Sequence, residues 1–286
     1  NKEFPSLYKR VGNRIAHTAN SIRTDLTGIN KALLKQGVPN REPISWIVDT
    51  ENYARLLGSA EFPIVNTVSG EANAIVNPND RSLRELLNIT PQVMQDSSFL
   101  VKFTCGTVAT QATAPVGALS GIHAINSTTL TITGLTAGLT IVDGDVLTIT
   151  GIPYPFTATT GVTTAATTVV GIYPPLPADM PNATAVTFAK SPTGTQVYYA
   201  NVAFTQKAFC LVSVDLPMDA ADWGGGVSQF TARHPDLPFY LRMSLNYDSS
   251  GYGKKMAKID GLFGATLLDP ARAVLICRKD PDVTVA

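Results

Sequence analysis

Charge is the scarcest commodity in this 286-residue chain: Asp, Glu, Lys and Arg make up 15% of it and balance to a net charge of zero. The shortage is sharpest from Phe103 to Ala189, 87 residues that hold no Lys or Arg and whose acids are Asp143, Asp145 and Asp179. A balance this neutral leaves little mutual repulsion to oppose contacts between copies. An ordinary low-charge soluble domain fits the composition equally well.

Other absences narrow the chemistry. No apolar run reaches the roughly 18 residues needed to cross a bilayer as a helix, so no membrane partner is expected. Asn1-Lys-Glu-Phe-Pro5 does not read as a secretory signal and does not begin with Met, which predicts a processed product or a longer protein without its beginning. His17, His123 and His234 are far apart and form no HExxH or Cys/His cluster, so no metal site is expected. Cys105, Cys210 and Cys277 are odd in number and lack CxxC spacing, which reads as free buried thiols of a reducing cytoplasm. There is no G-x-S-x-G elbow and no serine with a recognisable base, so no catalytic residue is nominated and the chain is read as a non-enzyme without a cofactor. Gly251-Tyr-Gly-Lys254 and Trp223-Gly-Gly-Gly226 lack Walker spacing and read as turns or loops. Asp143-Gly-Asp145 could offer two carboxylates to calcium, but without further oxygen ligands it reads more simply as a hairpin turn between Leu139–Val142 and Val146–Ile149. Asn88-Ile-Thr90, Asn126-Ser-Thr128 and Asn182-Ala-Thr184 fit glycosylation sequons, and without a secretion signal they read as accidental.

What is present is strand-forming. The cation-free window is crowded with Thr, Ala, Gly and Val, as in Thr128-Thr-Leu-Thr-Ile-Thr-Gly-Leu135, and branched side chains between Gly and Pro turns predict a small β-barrel or sandwich interrupting a host domain. Upstream, Val11, Ile15, Ala19, Ile22, Leu26, Ile29 and Leu33 recur every three or four places, which predicts one long amphipathic helix from about Val11 to Leu34. Gly37 and Pro39 stop it, and Ile44–Val48 reads as a buried strand. Short helices are predicted at Glu51–Leu57 and near Asp80–Asn88, with a loop at Asn66–Asn79 between them. Downstream, Ala203–Val214 reads as a helical start running into a strand. Leu241–Tyr247 and Lys255–Leu262 read as a hairpin through Ser249–Gly253, and Gly264–Leu268 and Ala273–Cys277 as further strand. The stretch Asn1–Glu42 holds eight basic residues against three acids. That excess could face a nucleic acid or an acidic partner, although a solvated helix surface explains it more simply.

The order of parts, with particular segments, resembles the major capsid proteins of tailed double-stranded DNA phages. Asn201–Pro217 is similar to the return segment of the P22-type coat protein family. Leu241–Tyr247, Lys258–Gly264 and Leu268–Ile276 are similar to its closing strands, Val142–Ile152 to its inserted domain, and Asn40–Asp49 to its strand after the spine helix. The resemblance implies an α+β, HK97-like fold: a long spine helix, peripheral and axial domains, and an inserted β-barrel domain. The division it implies is 1–103 for the spine helix and first part of the host, 104–190 for the barrel, and 191–286 for the return of the host with its terminal hairpin. The family's N-terminal arm and extended loop find no room before Val11. The resemblance further implies self-assembly as hexamers and pentamers into an icosahedral virion capsid, put together in the host bacterial cytoplasm around DNA bound without sequence specificity. Scaffolding, portal and decoration proteins would be the partners. The competing expectation is a phage tail, decoration or adhesin-type binding protein whose Thr/Gly-rich β-domain carries the contact.

Overall fold

The computed structural model describes residues 3–17, 22–39, 42–48, 89–93, 101–214, 227–233, 240–247, 255–260 and 262–279. The helices expected at 51–57 and 80–88 and the loop at 66–79 lie outside the described residues. So do the Trp223–Gly226 and Gly251–Lys254 loops, His234 and the Ser249–Gly253 turn. The chain divides into two compact units, one made of 1–208 with 267–286 and the other of 209–266.

The first unit is built on a mixed sheet. Its strands are β1 (Arg14–Ala16), β2 (Ile44–Val48), β3 (Ile89–Val93), β4 (Val101–Thr104), β13 (Val197–Thr205) and β19 (Ala273–Lys279). They lie in the order β1-β19-β13-β2-β3, with β4 also paired to β13. Strands β1 and β19 run parallel, as do β2 and β3, while β13 is antiparallel to all its neighbours. Helix α2 (Ile22–Lys35) contributes Leu26, Ile29 and Leu33 to a core shared with Trp46, Val48, Ile89, Val274 and Ile276. Asp25 in its first turn suits the positive end of the helix dipole.

The long spine helix is not formed, and with it the expected α+β, HK97-like fold is overturned. Strands take 45% of the chain, and the described residues hold two short α-helices, α1 (Glu3–Tyr8) and α2. At 14 residues α2 spans about 21 Å, half the length expected of a spine. The break has a long-range cause. Residues 14–16 pair in parallel with Leu275–Cys277, the Leu275 amide donates to the Asn13 carbonyl at 2.8 Å, and the His17 amide donates to the Cys277 carbonyl at 2.6 Å. Val11 and Ile15 satisfy a three-to-four spacing equally well from an extended chain whose neighbours are distant in sequence, and Gly12 weakens the helical alternative. The helical start expected at Ala203 is likewise strand: Val197–Thr205 is continuous and seven of its residues pair with β19, from Tyr198↔Lys279 to Phe204↔Ala273.

Between β4 and β13 the chain builds a closed barrel. Its strands are β5 (Val116–Leu119), β6 (Thr129–Thr133), β8 (Val146–Ile149), β9 (Phe156–Ala158), β11 (Thr167–Tyr173) and β12 (Ala185–Phe188), closing in the order β11-β6-β5-β12-β8-β9. Alternation fills it: Leu119, Leu130, Ile132, Leu147, Ile149, Phe156, Val170, Ile172, Val186 and Phe188 are buried, while Thr129, Thr148 and Val169 between them face out. The interior is a packed core, with no room for a lumen in so few strands. Two further strands, β7 (Thr140–Ile141) and β10 (Val162–Thr163), pair beside it. Asp143-Gly-Asp145 does turn the chain, with the Asp145 amide donating to the Val142 carbonyl at 2.9 Å and Gly144 at φ +99°. The strands on either side do not form the expected hairpin. Strand β7 pairs with β10, whereas β8 pairs with β9 and β12.

In the second unit, β15 (Val227–Arg233), β16 (Tyr240–Tyr247) and β17 (Lys255–Asp260) form an antiparallel three-stranded sheet, with the expected pairing from Arg242↔Asp260 to Tyr247↔Lys255. Strand β14 (Phe209–Val214) pairs with β18 (Leu262–Leu267).

Candidate functional site

The barrel leaves and re-enters the host sheet through neighbouring antiparallel strands, Val101–Thr104 against Val197–Ala200. The Cys105 amide donates to the Gln196 carbonyl at 2.9 Å just beyond that stalk. Beside it lies a polar cluster assembled from three separate stretches: residues 9–14, 105–107 and 140–145.

Asp145 sits at its centre, 2% exposed. The Gly106 amide donates to both of its carboxylate oxygens at 3.1 Å, and the Val142 amide to Oδ2 at 2.7 Å. Burial pushes this carboxyl above the usual range, against the opposing pull of those amides and of the Arg14 charge. Gly106 must be glycine here, because a Cβ would stand 2.1 Å from the Thr140 carbonyl oxygen and 2.6 Å from Asp145 Oδ2. Thr107 and Thr140 lock the same junction reciprocally, each backbone amide donating to the other's hydroxyl at 2.9 and 2.8 Å.

Asp143 faces the N-terminal segment. Arg10 reaches it at 2.7 Å and Lys9 at 3.3 Å, and Arg10 also donates to the Ala158 carbonyl at 3.1 Å. Arg14 donates to the Gly144 carbonyl and to the Tyr198 hydroxyl, with its guanidinium 5.3 Å over the Phe103 ring. Phe103 and Tyr198 stack at 5.5 Å across the stalk. Tyr173 adds a second tie, donating to the Leu267 carbonyl at 2.6 Å. A cleft of about 190 Å³ beside the junction is lined by Arg14, Cys105, Asp145, Ser191 and Tyr198 among others.

Chemically this is a junction in which charges are mutually neutralised. The two carboxylates considered for calcium are occupied by amides and cations of the protein itself, an arrangement opposite to an oxygen cage for a metal. Among the described residues no group of three or more His, Cys, Asp or Glu converges. His17 pairs with Asp25 at 2.5 Å, while His123 accepts from the Thr131 amide at 3.4 Å within the barrel. Cys105 and Cys277 are buried and unpaired. Burial pushes the Cys105 thiol upward, helped by the Asp145 charge, and drives Cys277 up to about 12, so neither is activated as a nucleophile. Asn126 and Asn182, the two described sequon residues, are exposed on barrel loops, where the Asn182 side-chain oxygen accepts from the Gly121 amide at 2.8 Å. Asn88 lies outside the described residues.

By sequence Lys9, Arg10 and Arg14 belong to an excess that could face a nucleic acid, an acidic partner or solvent, and nothing in it connects them to the barrel. One signal was available. Two acids two residues apart in a window without cations point to counter-charges outside it, but nothing in their spacing singles out the N-terminal stretch over Lys102, Lys190 or Lys254–Lys258. No protein-family model matches this chain, and no curated protein matches it either.

Proposed function

We propose that this chain is a structural building block: the major coat protein of a tailed double-stranded DNA phage, copies of which assemble in the bacterial cytoplasm as hexamers and pentamers and close an icosahedral virion shell. The observation that supports it most is a complete, side-chain-filled barrel carried by a continuing sheet through two paired strands, the placement implied by the resemblance of Val142–Ile152 to the coat family's inserted domain. Such an insertion adds a module without interrupting the host sheet, because β13 keeps its pairing with β19, β2 and β4. The balance of 22 basic and 22 acidic residues supports it second, since lateral contacts between identical copies meet no net repulsion. DNA would be enclosed without sequence-specific contacts, and scaffolding, portal and decoration proteins would be the partners in assembly.

Sedimentation of the purified protein over a wide concentration range tests this. A shell protein passes into particles far larger than any small oligomer. A species that stays a monomer or small oligomer, and whose partner or glycan binding maps to residues 104–190, overturns the reading in favour of a tail, decoration or adhesin-type protein.

A further inference from the structure

We infer that residues 9–16 act as a releasable strap which clamps the barrel onto the host sheet, and that its grip on the barrel is chiefly electrostatic. This inference is independent of the shell reading, since every contact it uses lies within one chain.

The strap touches both bodies it joins. Toward the barrel, Lys9 and Arg10 hold Asp143, Arg10 holds the Ala158 carbonyl, Arg14 holds the Gly144 carbonyl, and Gly12 lies so near Pro155 that a Cβ would come within 2.8 Å of its ring. Toward the host, Arg14–Ala16 add a three-residue parallel edge strand to β19, and the Asn13 side-chain amide donates to the Pro270 and Ala273 carbonyls at 3.4 and 3.2 Å. Each half is displaceable for a physical reason. A short strand at a sheet edge has few ladder bonds to lose. The Asp143 pairs are reached by solvent, with side-chain exposures of 40% for Lys9, 28% for Arg10 and 32% for Asp143, so salt weakens them. Releasing the strap leaves the barrel attached through the β4–β13 stalk and the Tyr173 bond, with its own closed ladder intact.

The protein supplies its own reporter. Trypsin has no cleavage site between residues 103 and 189, whereas the strap carries Lys9, Arg10 and Arg14. The experiment follows cleavage after Arg10 by mass spectrometry, together with hydrogen exchange at the Leu275 amide, which bonds to the Asn13 carbonyl of the strap, and at the His17 amide just beyond the strap, which bonds to the Cys277 carbonyl. Full-length wild type at low and high sodium chloride is compared with Asp143→Asn. Salt, or the substitution, should speed both readouts by about two- to fivefold while exchange at the barrel amides of Leu130, Ile132 and Val170 stays unchanged. Indifference of both strap readouts to salt overturns the inference, as does acceleration of strap and barrel amides together, because that reports global unfolding. The salt series needs no variant and decides the matter if Asp143→Asn does not fold.

Discussion

The barrel and the sheet that carries it belong to one compact unit, yet they were encoded in opposite ways. In the barrel, two neighbouring pairs are near in sequence, β5 with β6 and β8 with β9, and strands such as β5, β6 and β12 alternate core and surface at period two. In the host sheet the outer pair joins Arg14 to Leu275, across nearly the whole chain, and β13 binds strands from both sides of the insertion. Local alternation reports a locally built module, while an edge strand recruited from the far end of the sequence leaves no local trace. The two bodies also divide the charge between them. The barrel has acids and no bases, and the host lends it Lys9, Arg10 and Arg14.

The largest predicted effects test whether barrel and host sheet are separate cores. Phe156→Ala, at a fully buried position inside the barrel, should cost about 3–5 kcal/mol in urea unfolding. Amide protection should be lost first in the barrel, with β13 and β19 still protected. Trp46→Ala in the host core should cost a similar ~3–5 kcal/mol with the opposite order of loss. Identical exchange patterns in the two variants would merge the cores into one.

Gly106→Ala comes next and strikes the junction. Its Cβ meets backbone that cannot swing aside, so a loss of about 2–3 kcal/mol is expected by thermal or urea unfolding. An unchanged midpoint would show that the junction has slack.

Acid and base should then act on the two bodies with opposite sign. Asp145 at the barrel junction has a folded-state value above its ordinary 3.8, so the stability it confers is complete below that pH and is lost as pH rises through the folded value. Asp145→Asn should flatten this decline in a pH series of unfolding midpoints, and a decline that survives the substitution would assign it to other groups. Glu42 in the host is held below its ordinary 4.5, chiefly by its hydrogen bond from Arg272, which Asp269 also binds at 3.0 Å. Its contribution is therefore present above pH 4.5 and is lost as pH falls through the folded value. Glu42→Gln should remove a small acid-sensitive component, the weakest effect in the series because a partly exposed ion pair contributes little. Equal acid sensitivity with and without the carboxylate would contradict it.

Legibility follows the same division. The Thr-rich alternation of Thr128–Leu135 gave the β character of its strand, and Ile44–Val48 was readable as a buried strand because its flanking Gly37 and Pro39 punctuate the chain. Val11–Leu34 was not readable as two elements: Val11 and Ile15 extend the period of Leu26, Ile29 and Leu33, and only the partner strand at Leu275–Cys277 turns residues 14–16 from helix to sheet. The turn at Asp143–Asp145 was legible, whereas its strands' partners were not, because Thr140–Ile141 pairs with Val162–Thr163 rather than across the turn. Of the junction, the two acids stood out and their cations did not, since an ion pair separated by 133 positions has no spacing to read.

The claim at the centre is that this chain works by contact with its own copies. Electron microscopy of the purified protein, imaged from dilute to concentrated solution and with and without a polyanion to fill the interior, tests it most directly. Closed shells of uniform diameter are the predicted result. Isolated single chains across the whole range would contradict it.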